Sequence, residues 1–248
     1  MTIPEFFARY PEVAVAFSGG TDSAYLLRCA KQHARRVCAY YVKSEFQPRF
    51  ELEDAKTLAA ALDVELRILP LSVLQTPEVC ANPSDRCYYC KRTIFAEISC
   101  AAAADGFSVL LDGTNASDDA ADRPGMRALR ELQVLSPLRL CGLTKAEIRA
   151  RSQDCGLFTW DKPAYACLAT RIAAGEHITA EKLASTEAAE DFLRALGFTD
   201  FRVRQKDGQA RIQLPQAQWP LLVQHREAIL AELKQYYNAV TLDLEVRG

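Results

Sequence analysis

The chain has 248 residues, with 30 lysines and arginines against 32 aspartates and glutamates, 49% hydrophobic residues and 25% charged residues. These values are those of an ordinary globular protein, and they exclude disordered, collagen-like and coiled-coil chains. The net charge of −2 argues against a nucleic-acid partner, which usually requires a concentrated basic surface. The sequence has neither a sufficiently long apolar stretch nor the pattern of a secretion signal, so we expect a cytoplasmic protein with no membrane partner.

The first two thirds of the chain alternate short β-branched or aromatic runs with helical patterns, which predicts βαβ units and a parallel sheet. The predicted strands are residues 13–17, 37–42, 64–69 and 108–111. The predicted helices are residues 22–34, 51–62, 87–104 and 144–156, the last opening with a capping box of Thr144 and Glu147. We expect residues 72–86 to be irregular. The fold class is therefore α/β, with a doubly wound, mostly parallel sheet.

Hydrophobic periodicity disappears between Trp160 and Gly175, and we place the domain boundary in this connection. The predicted domains are residues 1–170 and 171–248. The second is expected to be a small α+β domain for substrate binding or oligomerisation. Its predicted elements are a helix at 179–196, a hairpin with Asp207-Gly208 in the turn, a helix at 216–236 and a strand with Val240, Leu242, Leu244 and Val246.

The first predicted strand ends in a segment of six residues, Ser18, Gly19, Gly20, Thr21, Asp22 and Ser23. Its glycines let the backbone approach an anion, and the N-terminus of the following helix adds partial positive charge, which predicts a phosphate site. The hydroxyls of Ser18 and Ser23 can donate hydrogen bonds to the phosphates. Asp22 can cap the helix or face a Mg²⁺ ion. The alternative is a tight strand-to-helix turn with a good cap and no ligand.

The sequence contains nine cysteines, and three of them are candidate metal ligands. Cys87 and Cys90 form a C-x-x-C pair at a predicted helix start, and Cys167 lies in the aperiodic connection. Three thiolates leave one metal ligand position open, which suits a 4Fe-4S cluster whose fourth iron holds a ligand such as hydrosulfide. A redox-active pair, structural zinc and plain burial are the alternatives. We expect burial for the other six, which are Cys29, Cys38, Cys80, Cys100, Cys141 and Cys155.

Two further groups of charged residues are candidates for ligand binding. The acidic loop 112–122 follows a predicted strand at the edge where open parallel sheets bind ligands, and we select Thr114 and Asp119 for contact with nucleotide or Mg²⁺. Lys91 is also assigned to the nucleotide site. The alternative is a solvated acidic loop.

Arginines dominate the predicted hairpin of the second domain. Arg202 and Arg204 alternate on one strand, and Arg211 lies on the returning strand, so their guanidinium groups form one cationic face for phosphate or carboxylate. A solvated hairpin is the alternative. Arg171, four residues after Cys167, is a further candidate anion ligand.

The segment Ser18–Ser23 resembles the pyrophosphate loop (PP-loop) of the N-type ATP pyrophosphatases. Within that superfamily, the chain is most similar to the LarE-type ATP-dependent sulfur transferases. The resemblance extends over nearly the whole chain. It is carried by residues 18–23, 87–92, 113–115, 118–119, 123–125, 136–138, 162–163, 166–169, 171 and 201–204.

This resemblance implies an adenine nucleotide α-hydrolase-like PP-loop fold, with ATP and Mg²⁺ as cofactors. It implies that a substrate carboxylate is adenylated, with release of pyrophosphate, and converted to a thiocarboxylate. The implied substrate is pyridinium-3,5-biscarboxylic acid mononucleotide, a precursor of the nickel-pincer nucleotide cofactor of lactate racemase. The expected partners are this small nucleotide, sulfide or another sulfur donor, and further copies of the chain in a trimer or hexamer.

The resemblance also implies roles for individual residues. Cys167 matches the cysteine that some members sacrifice as their sulfur source, whereas members with all three cysteines are thought to carry a 4Fe-4S cluster. We therefore expect Cys87, Cys90 and Cys167 to be catalytic, together with Asp22. The positions that match the substrate or phosphate site of the family are Glu190, Arg202, Arg204 and Arg211.

Three other functions remain open at this point. A tRNA thiolation enzyme of the same superfamily also pairs a C-x-x-C with a distant cysteine, although the acidic net charge opposes it. An amide-forming ligase, such as an NAD or GMP synthetase, has no need of three clustered cysteines. A non-catalytic nucleotide-binding or zinc-stabilised adaptor belongs to a different class.

Overall fold

The computed structural model describes residues 1–118 and 124–245. The strands within these residues are β1 (Glu12–Ala16), β2 (Arg36–Lys43), β3 (Glu65–Pro70), β4 (Leu110–Leu111), β5 (Arg202–Lys206), β6 (Gln209–Gln213) and β7 (Ala239–Leu242). The α-helices are α1 (Ile3–Arg9), α2 (Thr21–His33), α3 (Arg49–Ala61), α4 (Pro77–Cys80), α5 (Arg86–Ala104), α6 (Pro124–Glu131), α7 (Pro137–Leu140), α8 (Lys145–Asp154), α9 (Ala180–Ala195), α10 (Trp219–Gln224) and α11 (Arg226–Leu233). Short 3₁₀ helices cover Val73–Gln75, Leu168–Arg171 and Gln216–Gln218.

The chain divides into two compact units. The first comprises Met1–Val73 with Asp85–Lys162, and the second comprises Leu74–Ser84 with Pro163–Gly248. The domain boundary predicted between residues 170 and 171 stays a prediction.

The first unit contains a parallel sheet of order β3-β2-β1-β4. From β1 the chain winds outward through β2 and β3 and then returns to place β4 on the other side of β1. The direction of winding therefore reverses between β1 and β4. In open parallel sheets ligands bind outside the carboxyl ends of the strands at such a reversal, so the loops after β1 and β4 occupy the expected position of a binding site.

Side chains of the central strands alternate between two apolar cores, as a sheet covered on both faces requires. Val13 and Val15 of β1 join a core with α1, α2 and α8, whereas Ala14 lies in the core on the opposite face with α5. Tyr41 and Tyr40 of β2 divide in the same way. This arrangement confirms the predicted doubly wound α/β class.

The second unit contains a three-stranded sheet of order β5-β6-β7. β5 and β6 form an antiparallel hairpin, and β7 pairs with β6 in parallel. The hairpin turns at Asp207 and Gly208, both with positive φ, as the Asp-Gly signal predicts. One apolar core packs α9 and α11 against the sheet, which confirms a small α+β structure near the C-terminus.

Most of the predicted strands and helices of the first unit are present within one or two residues of their predicted ends. The Thr144 capping box is also confirmed, because Thr144 and Glu147 bond each other's backbone N–H groups. Four helices were not predicted from the sequence, α1, α4, α6 and α7, and each has at most eight residues. Such short segments contain too few turns to display a hydrophobic period.

The predicted helix 216–236 was wrong as one continuous element. It is a 3₁₀ turn, α10 and α11, with His225 between the two helices at φ −100° and ψ 12°. Pro220 lies in the first turn of α10, where proline is tolerated, and in the interior of a longer helix it would break the hydrogen-bond ladder.

The last strand ends at Leu242, and Val246 lies outside the described residues. Within residues 1–118 and 124–245, no helix is both long and apolar enough to cross a membrane.

Candidate functional site

The segment Ser18–Ser23, called the PP-loop from here on, joins β1 to α2 at the winding reversal of the sheet. Gly19 has φ +73°, which L side chains rarely adopt. A Cβ at this position would lie 3.2 Å from the carbonyl oxygen of Glu51 and 3.3 Å from the Cβ of Ala55 on α3. The turn therefore requires glycine for both its conformation and its packing.

The loop after β4 approaches the PP-loop closely. A Cβ on Gly113 would lie 2.9 Å from the backbone nitrogen of Ser23, so only glycine allows this approach. The two loops that leave β1 and β4 thus meet at the N-terminus of α2. The fold brings together two segments that are far apart in the sequence.

The N-terminus of α2 receives no side-chain cap. Its N-cap residue is Gly20, which has no side chain with which to bond the first turn. The interpretation of Asp22 as the helix cap was therefore wrong. The first N–H groups of a helix have no acceptor within the helix and carry partial positive charge. In a turn shaped by glycine, these groups fit the oxygens of a phosphate chain.

The two serine hydroxyls of the PP-loop bond to each other and to the loop backbone. Ser18 Oγ and Ser23 Oγ are 3.0 Å apart, and Ser23 Oγ donates to the carbonyl of Gly20 at 3.1 Å. Ser18 Oγ accepts from the N–H of Gly20 at 3.4 Å. The hydroxyls thus hold the shape of the turn, and their donation to a bound phosphate stays a prediction.

Asp22 presents one paired and one unpaired carboxylate oxygen. Its Oδ2 accepts a hydrogen bond of 2.7 Å from Nζ of Lys145, the first residue of α8. Its Oδ1 is buried and has no hydrogen-bond partner among the described residues. Burial of a carboxylate oxygen without a hydrogen-bond partner costs free energy. Such an oxygen is a suitable ligand for a hard cation such as Mg²⁺.

A second lysine flanks the PP-loop in the same unit. Nζ of Lys162 lies 2.6 Å from a carboxylate oxygen of Asp54 on α3 and 3.4 Å from the carbonyl oxygen of Gly19. Lys145 and Lys162 therefore place two ammonium groups at the PP-loop, each paired with an aspartate. Neither lysine was selected as a site residue from the sequence, because nothing in the local pattern shows which surface lysines a fold returns to a distant loop.

The loop after β4 is internally hydrogen-bonded. Asp112 is buried and accepts from the hydroxyls of Thr114 and Ser136. Asn115 and Asp118 tie the following turn by two bonds to backbone N–H groups. Thr114 therefore lies in a loop that touches the PP-loop, with its hydroxyl directed to Asp112, and its contact with nucleotide stays a prediction.

Asp119, the other candidate in this loop, lies outside the described residues.

Cys87 and Cys90 are the second and fifth residues of α5, at the helix start where the sequence predicted them. Cys87 is exposed and Cys90 is partly buried, and the guanidinium of Arg86 lies 3.9 Å from Sγ of Cys87. Residues three apart on a helix share a face, so the pair fits two ligand positions of a metal centre. Lys91 packs against α6, because a Cβ on Gly125 would lie 2.9 Å from its Cδ.

The third cysteine of the predicted ligand set lies in the other unit. Cys167 is partly buried and immediately precedes the 3₁₀ helix Leu168–Arg171. Across residues 1–118 and 124–245, no three histidine, cysteine, aspartate or glutamate side chains lie close enough together to hold a metal ion. The iron-sulfur cluster therefore stays a prediction.

The six remaining cysteines do not all match the expectation of burial. Cys29, Cys38 and Cys80 are buried and Cys141 is partly buried, but Cys100 and Cys155 are exposed. Cys100 lies on α5, and Cys155 directly follows α8. Alanine-rich or apolar neighbours along the chain do not determine which way a single helical side chain faces.

In the second unit, the candidate substrate-binding residues differ in exposure. Arg171, Glu190 and Arg202 are buried, Arg204 is partly buried, and Arg211 is exposed. Arg204 and Arg211 lie opposite each other in the β5-β6 hairpin, so they share a face, as predicted. Nε of Arg211 lies 3.3 Å from a carboxylate oxygen of Asp243.

The buried Arg202 and the partly buried Arg204 donate hydrogen bonds to backbone carbonyls of the second unit. Arg202 donates to the carbonyls of Phe201 and Ala164, and Arg204 Nη1 donates to the carbonyl of Thr170 at 2.7 Å. These donors bind the protein's own backbone. The substrate-binding roles proposed for Arg171, Glu190, Arg202, Arg204 and Arg211 stay predictions.

Comparisons with known proteins add to this geometry. A family model described as queuosine biosynthesis protein QueC matches residues 12–82, which include β1 and the PP-loop. The chain is 37% identical to uncharacterized protein slr1717 of Synechocystis sp. over 97% of this chain and 91% of that protein. It is 33% identical to the pyridinium-3,5-bisthiocarboxylic acid mononucleotide synthase of Lactiplantibacillus plantarum over 94% of this chain and 85% of the synthase.

The chain belongs to the family of this synthase. A further relative, uncharacterized protein MJ0830 of Methanocaldococcus jannaschii, is 26% identical over 95% of this chain and 90% of that protein. Membership of the synthase family, with the QueC match across the PP-loop, confirms the predicted PP-loop fold and the LarE-type resemblance. The protein is an ATP-dependent PP-loop enzyme, and its predicted class of ATP-dependent sulfurtransferase is confirmed.

Proposed function

We propose that this enzyme uses ATP to adenylate a carboxylate of pyridinium-3,5-biscarboxylic acid mononucleotide and then converts that carboxylate to a thiocarboxylate. The observation that carries the proposal is the uncapped N-terminus of α2 in a glycine-dependent turn. This anion site lies in a chain that is similar to a pyridinium-3,5-bisthiocarboxylic acid mononucleotide synthase over nearly its whole length. The product belongs to the synthesis of the nickel-pincer nucleotide cofactor.

Adenylation explains why a pyrophosphate site and a sulfur source share one chain. A carboxylate oxygen is a poor leaving group, and transfer of AMP to it releases pyrophosphate. The sulfur lone pair then forms the new C–S bond, while the C–O bond to AMP breaks and AMP leaves with that electron pair. With hydrosulfide as the sulfur donor, its proton passes to solvent.

The residues of the PP-loop support the first of these steps. The backbone N–H groups at the start of α2 bind the leaving pyrophosphate, and Lys145 and Lys162 supply positive charge beside it. Asp22 Oδ1, buried without a partner among the described residues, would hold Mg²⁺. A cation bound there would supply charge neutralisation for the phosphates.

Sulfur handling is assigned to Cys87, Cys90 and Cys167. A C-x-x-C pair on one helix face and a third thiol provide the soft ligands that a 4Fe-4S cluster requires. Such a cluster would supply a sulfide that can be replaced after each turnover. Sacrifice of the Cys167 sulfur is the alternative within the same reaction class.

For the substrate's phosphate and second carboxylate, Arg211 and Arg204 are the strongest candidates, because they share a face of the hairpin and Arg211 is exposed. We further propose that the enzyme acts in the cytoplasm as a homo-oligomer, a trimer or a hexamer, and receives sulfur from sulfide or a dedicated donor.

The decisive experiment combines the anaerobically purified protein with ATP, Mg²⁺, sulfide and pyridinium-3,5-biscarboxylic acid mononucleotide. We expect AMP, pyrophosphate and a thiocarboxylate, identified by mass spectrometry. Asp22→Asn should abolish pyrophosphate release, whereas Asp63→Asn, which removes a surface partner of Lys31 at the far end of α2, should not. Formation of ADP and phosphate would refute the proposal, as would thiolation of tRNA, but not of the nucleotide, when tRNA is added to the same mixture.

A further inference from the structure

Arg171 is completely buried in the second unit, and its charge is balanced by one carboxylate. Its Nε donates to Oε1 of Glu190 at 2.8 Å, and its Nη2 donates to Oε2 at 3.1 Å. Both side chains are at most 1% exposed. The pair is bidentate, which fixes the orientation of the guanidinium plane. Because a buried ion pair seldom stabilises a fold more than apolar residues of the same size do, its orientation suggests a more specific role.

The carboxylate of Glu190 is fully occupied by the protein. Besides the two bonds from Arg171, its Oε1 accepts from the backbone N–H of Val203 at 3.0 Å. Its Oε2 accepts from the hydroxyl of Tyr165 at 2.7 Å. Glu190 is therefore anchored to both β5 and the segment before Cys167, and it holds Arg171 in a fixed place.

The other end of the guanidinium group faces the backbone around Cys167. Nη1 of Arg171 donates to the carbonyl of Ala166 and lies 3.3 Å from the carbonyl oxygen of Cys167. These two carbonyls belong to the peptide bonds on either side of Cys167. Nη1 also lies 3.0 Å from Oγ1 of Thr170, and that hydroxyl donates to the Cys167 carbonyl at 2.8 Å.

The Tyr165 ring completes the support. The guanidinium carbon of Arg171 lies 4.3 Å from the ring centroid, and that of Arg202 lies 5.1 Å from it. The Tyr165 hydroxyl donates to the Glu190 carboxylate at 2.7 Å, so the ring is tied to the same carboxylate that holds Arg171. These contacts hold the backbone on both sides of Cys167, which is itself partly buried.

We propose that Arg171 is a positioning residue for Cys167. Held by Glu190, its guanidinium group binds the carbonyls on both sides of the cysteine and so fixes the direction in which the thiol leaves the backbone. This assignment differs from direct anion binding, because the buried guanidinium group bonds to the carboxylate and the backbone of its own unit. It rests on the proposed function only in that Cys167 handles the sulfur.

Two variants separate positioning from simple structural support. Arg171→Lys keeps a positive charge for Glu190 but removes the planar group that reaches two carbonyls. The double variant Arg171→Met with Glu190→Gln removes both buried charges. Its new amide retains a carbonyl oxygen for the N–H of Val203, and its NH₂ group can donate to the hydroxyl oxygen of Tyr165. The matched control is Arg226→Met, which removes an exposed arginine at the start of α11 in the same unit.

Hydrogen exchange measured by mass spectrometry tests the positioning without any substrate. We expect amides in residues 164–171 to exchange at least tenfold faster in both variants, while α9 and the β5-β6 hairpin keep the exchange rates of the unsubstituted protein. The control variant should show no change in either region. Unchanged exchange in residues 164–171 of the double variant would overturn the proposal.

Kinetics then distinguish positioning from substrate binding. We expect kcat for thiocarboxylate formation to fall at least tenfold, with KM for ATP and for the carboxylate substrate unchanged and pyrophosphate release retained. A higher substrate KM with unchanged kcat would instead make Arg171 a substrate ligand. If the unsubstituted protein forms no thiocarboxylate, the proposed function fails, and the exchange experiment still decides the role of Arg171.

Discussion

Lys145 and Asp22 form an ion pair of 2.7 Å between the first turns of α8 and α2, although 123 positions separate them in the sequence. The lysine is presented by the capping box that starts α8, and the aspartate belongs to the PP-loop. An incoming phosphate chain and its cation compete for both partners: the phosphates attract the ammonium group, and the cation attracts the carboxylate. The pair therefore holds two ligand-binding groups in place before ATP arrives.

Replacing Lys145 by methionine should weaken ATP use much more than it weakens the fold. A partly exposed ion pair contributes at most about 1 kcal/mol to stability, whereas a charge-assisted bond to phosphate is worth about 1.5–3 kcal/mol. We expect kcat/KM for ATP in pyrophosphate release to fall roughly 10- to 100-fold. The matched control is Lys31→Met, which breaks the exposed pair between Lys31 of α2 and Asp63, a residue that follows α3. Equal losses in the two variants would contradict a role for Lys145 at the phosphates.

The two glycines of the PP-loop should respond differently to alanine. Gly19 has φ +73° and is crowded by α3, whereas Gly20 is extended, with φ −82°, and a Cβ there would have only an ordinary contact at 3.5 Å. We expect Gly19→Ala to lower the free energy of unfolding by about 1–3 kcal/mol and Gly20→Ala to leave it nearly unchanged. Urea denaturation measures both. Similar midpoints would mean that the loop conformation does not depend on Gly19.

The sequence alone predicted the anion site because its signals are local. The strand, the glycines and the helix start lie within a dozen residues, and each has a fixed conformational meaning. The doubly wound sheet was predictable for a similar reason, since alternating strands and helices allow few arrangements. Lys145 and Lys162 were not, because their place at the PP-loop depends on how α8 and the chain after it return across the fold.

The segment Leu74–Ser84 illustrates the same limit in the second unit. The sequence predicted only irregular chain there, although Ile178 N–H donates to the carbonyl of Cys80 at 2.8 Å and Asn82 Nδ2 donates to the carbonyl of Ala173 at 2.8 Å. These bonds join residues about a hundred positions apart and leave no periodic pattern. Arg171 is similar: its distance from Cys167 suggested a ligand, but its burial beside Glu190 depends on α9.

Cys29 should react with iodoacetamide much more slowly than the exposed thiols. Burial raises the pKa of Cys29 to about 11, so at pH 8 only about one thiol in a thousand is ionised. The exposed Cys100 and Cys155 serve as references in the same molecule. Peptide mass spectrometry after timed alkylation should find them modified first, and Cys29 modified only after urea is added. Early labelling of Cys29 in the folded protein would contradict its burial in the core.

Arg211→Ala should weaken use of the carboxylate substrate without affecting ATP. Its guanidinium group is exposed and bonded to Asp243, so an anionic substrate reaches it at little cost to the fold. A charge-assisted bond of about 1.5–3 kcal/mol predicts a substrate KM roughly tenfold or more above that of the unsubstituted enzyme. Arg226→Ala, at the exposed start of α11, is the control. An unchanged KM would return the hairpin to the interpretation of a solvated surface.

The source of the sulfur can be read from the number of turnovers. A cysteine that gives up its own sulfur acts once, whereas a cluster held by Cys87, Cys90 and Cys167 can be reloaded. If the cluster is present, the reconstituted enzyme supplied with sulfide should make more than one thiocarboxylate per chain. Replacing any of the three cysteines by alanine should remove iron, visible absorbance and turnover together, whereas Cys100→Ala should remove none of them.

Sacrifice of the Cys167 sulfur would give a different turnover number and a different protein mass. An enzyme that stops after one turnover, with Cys167 converted to dehydroalanine in its mass spectrum, has used its own side chain, and the cluster assignment is then wrong although the reaction class survives.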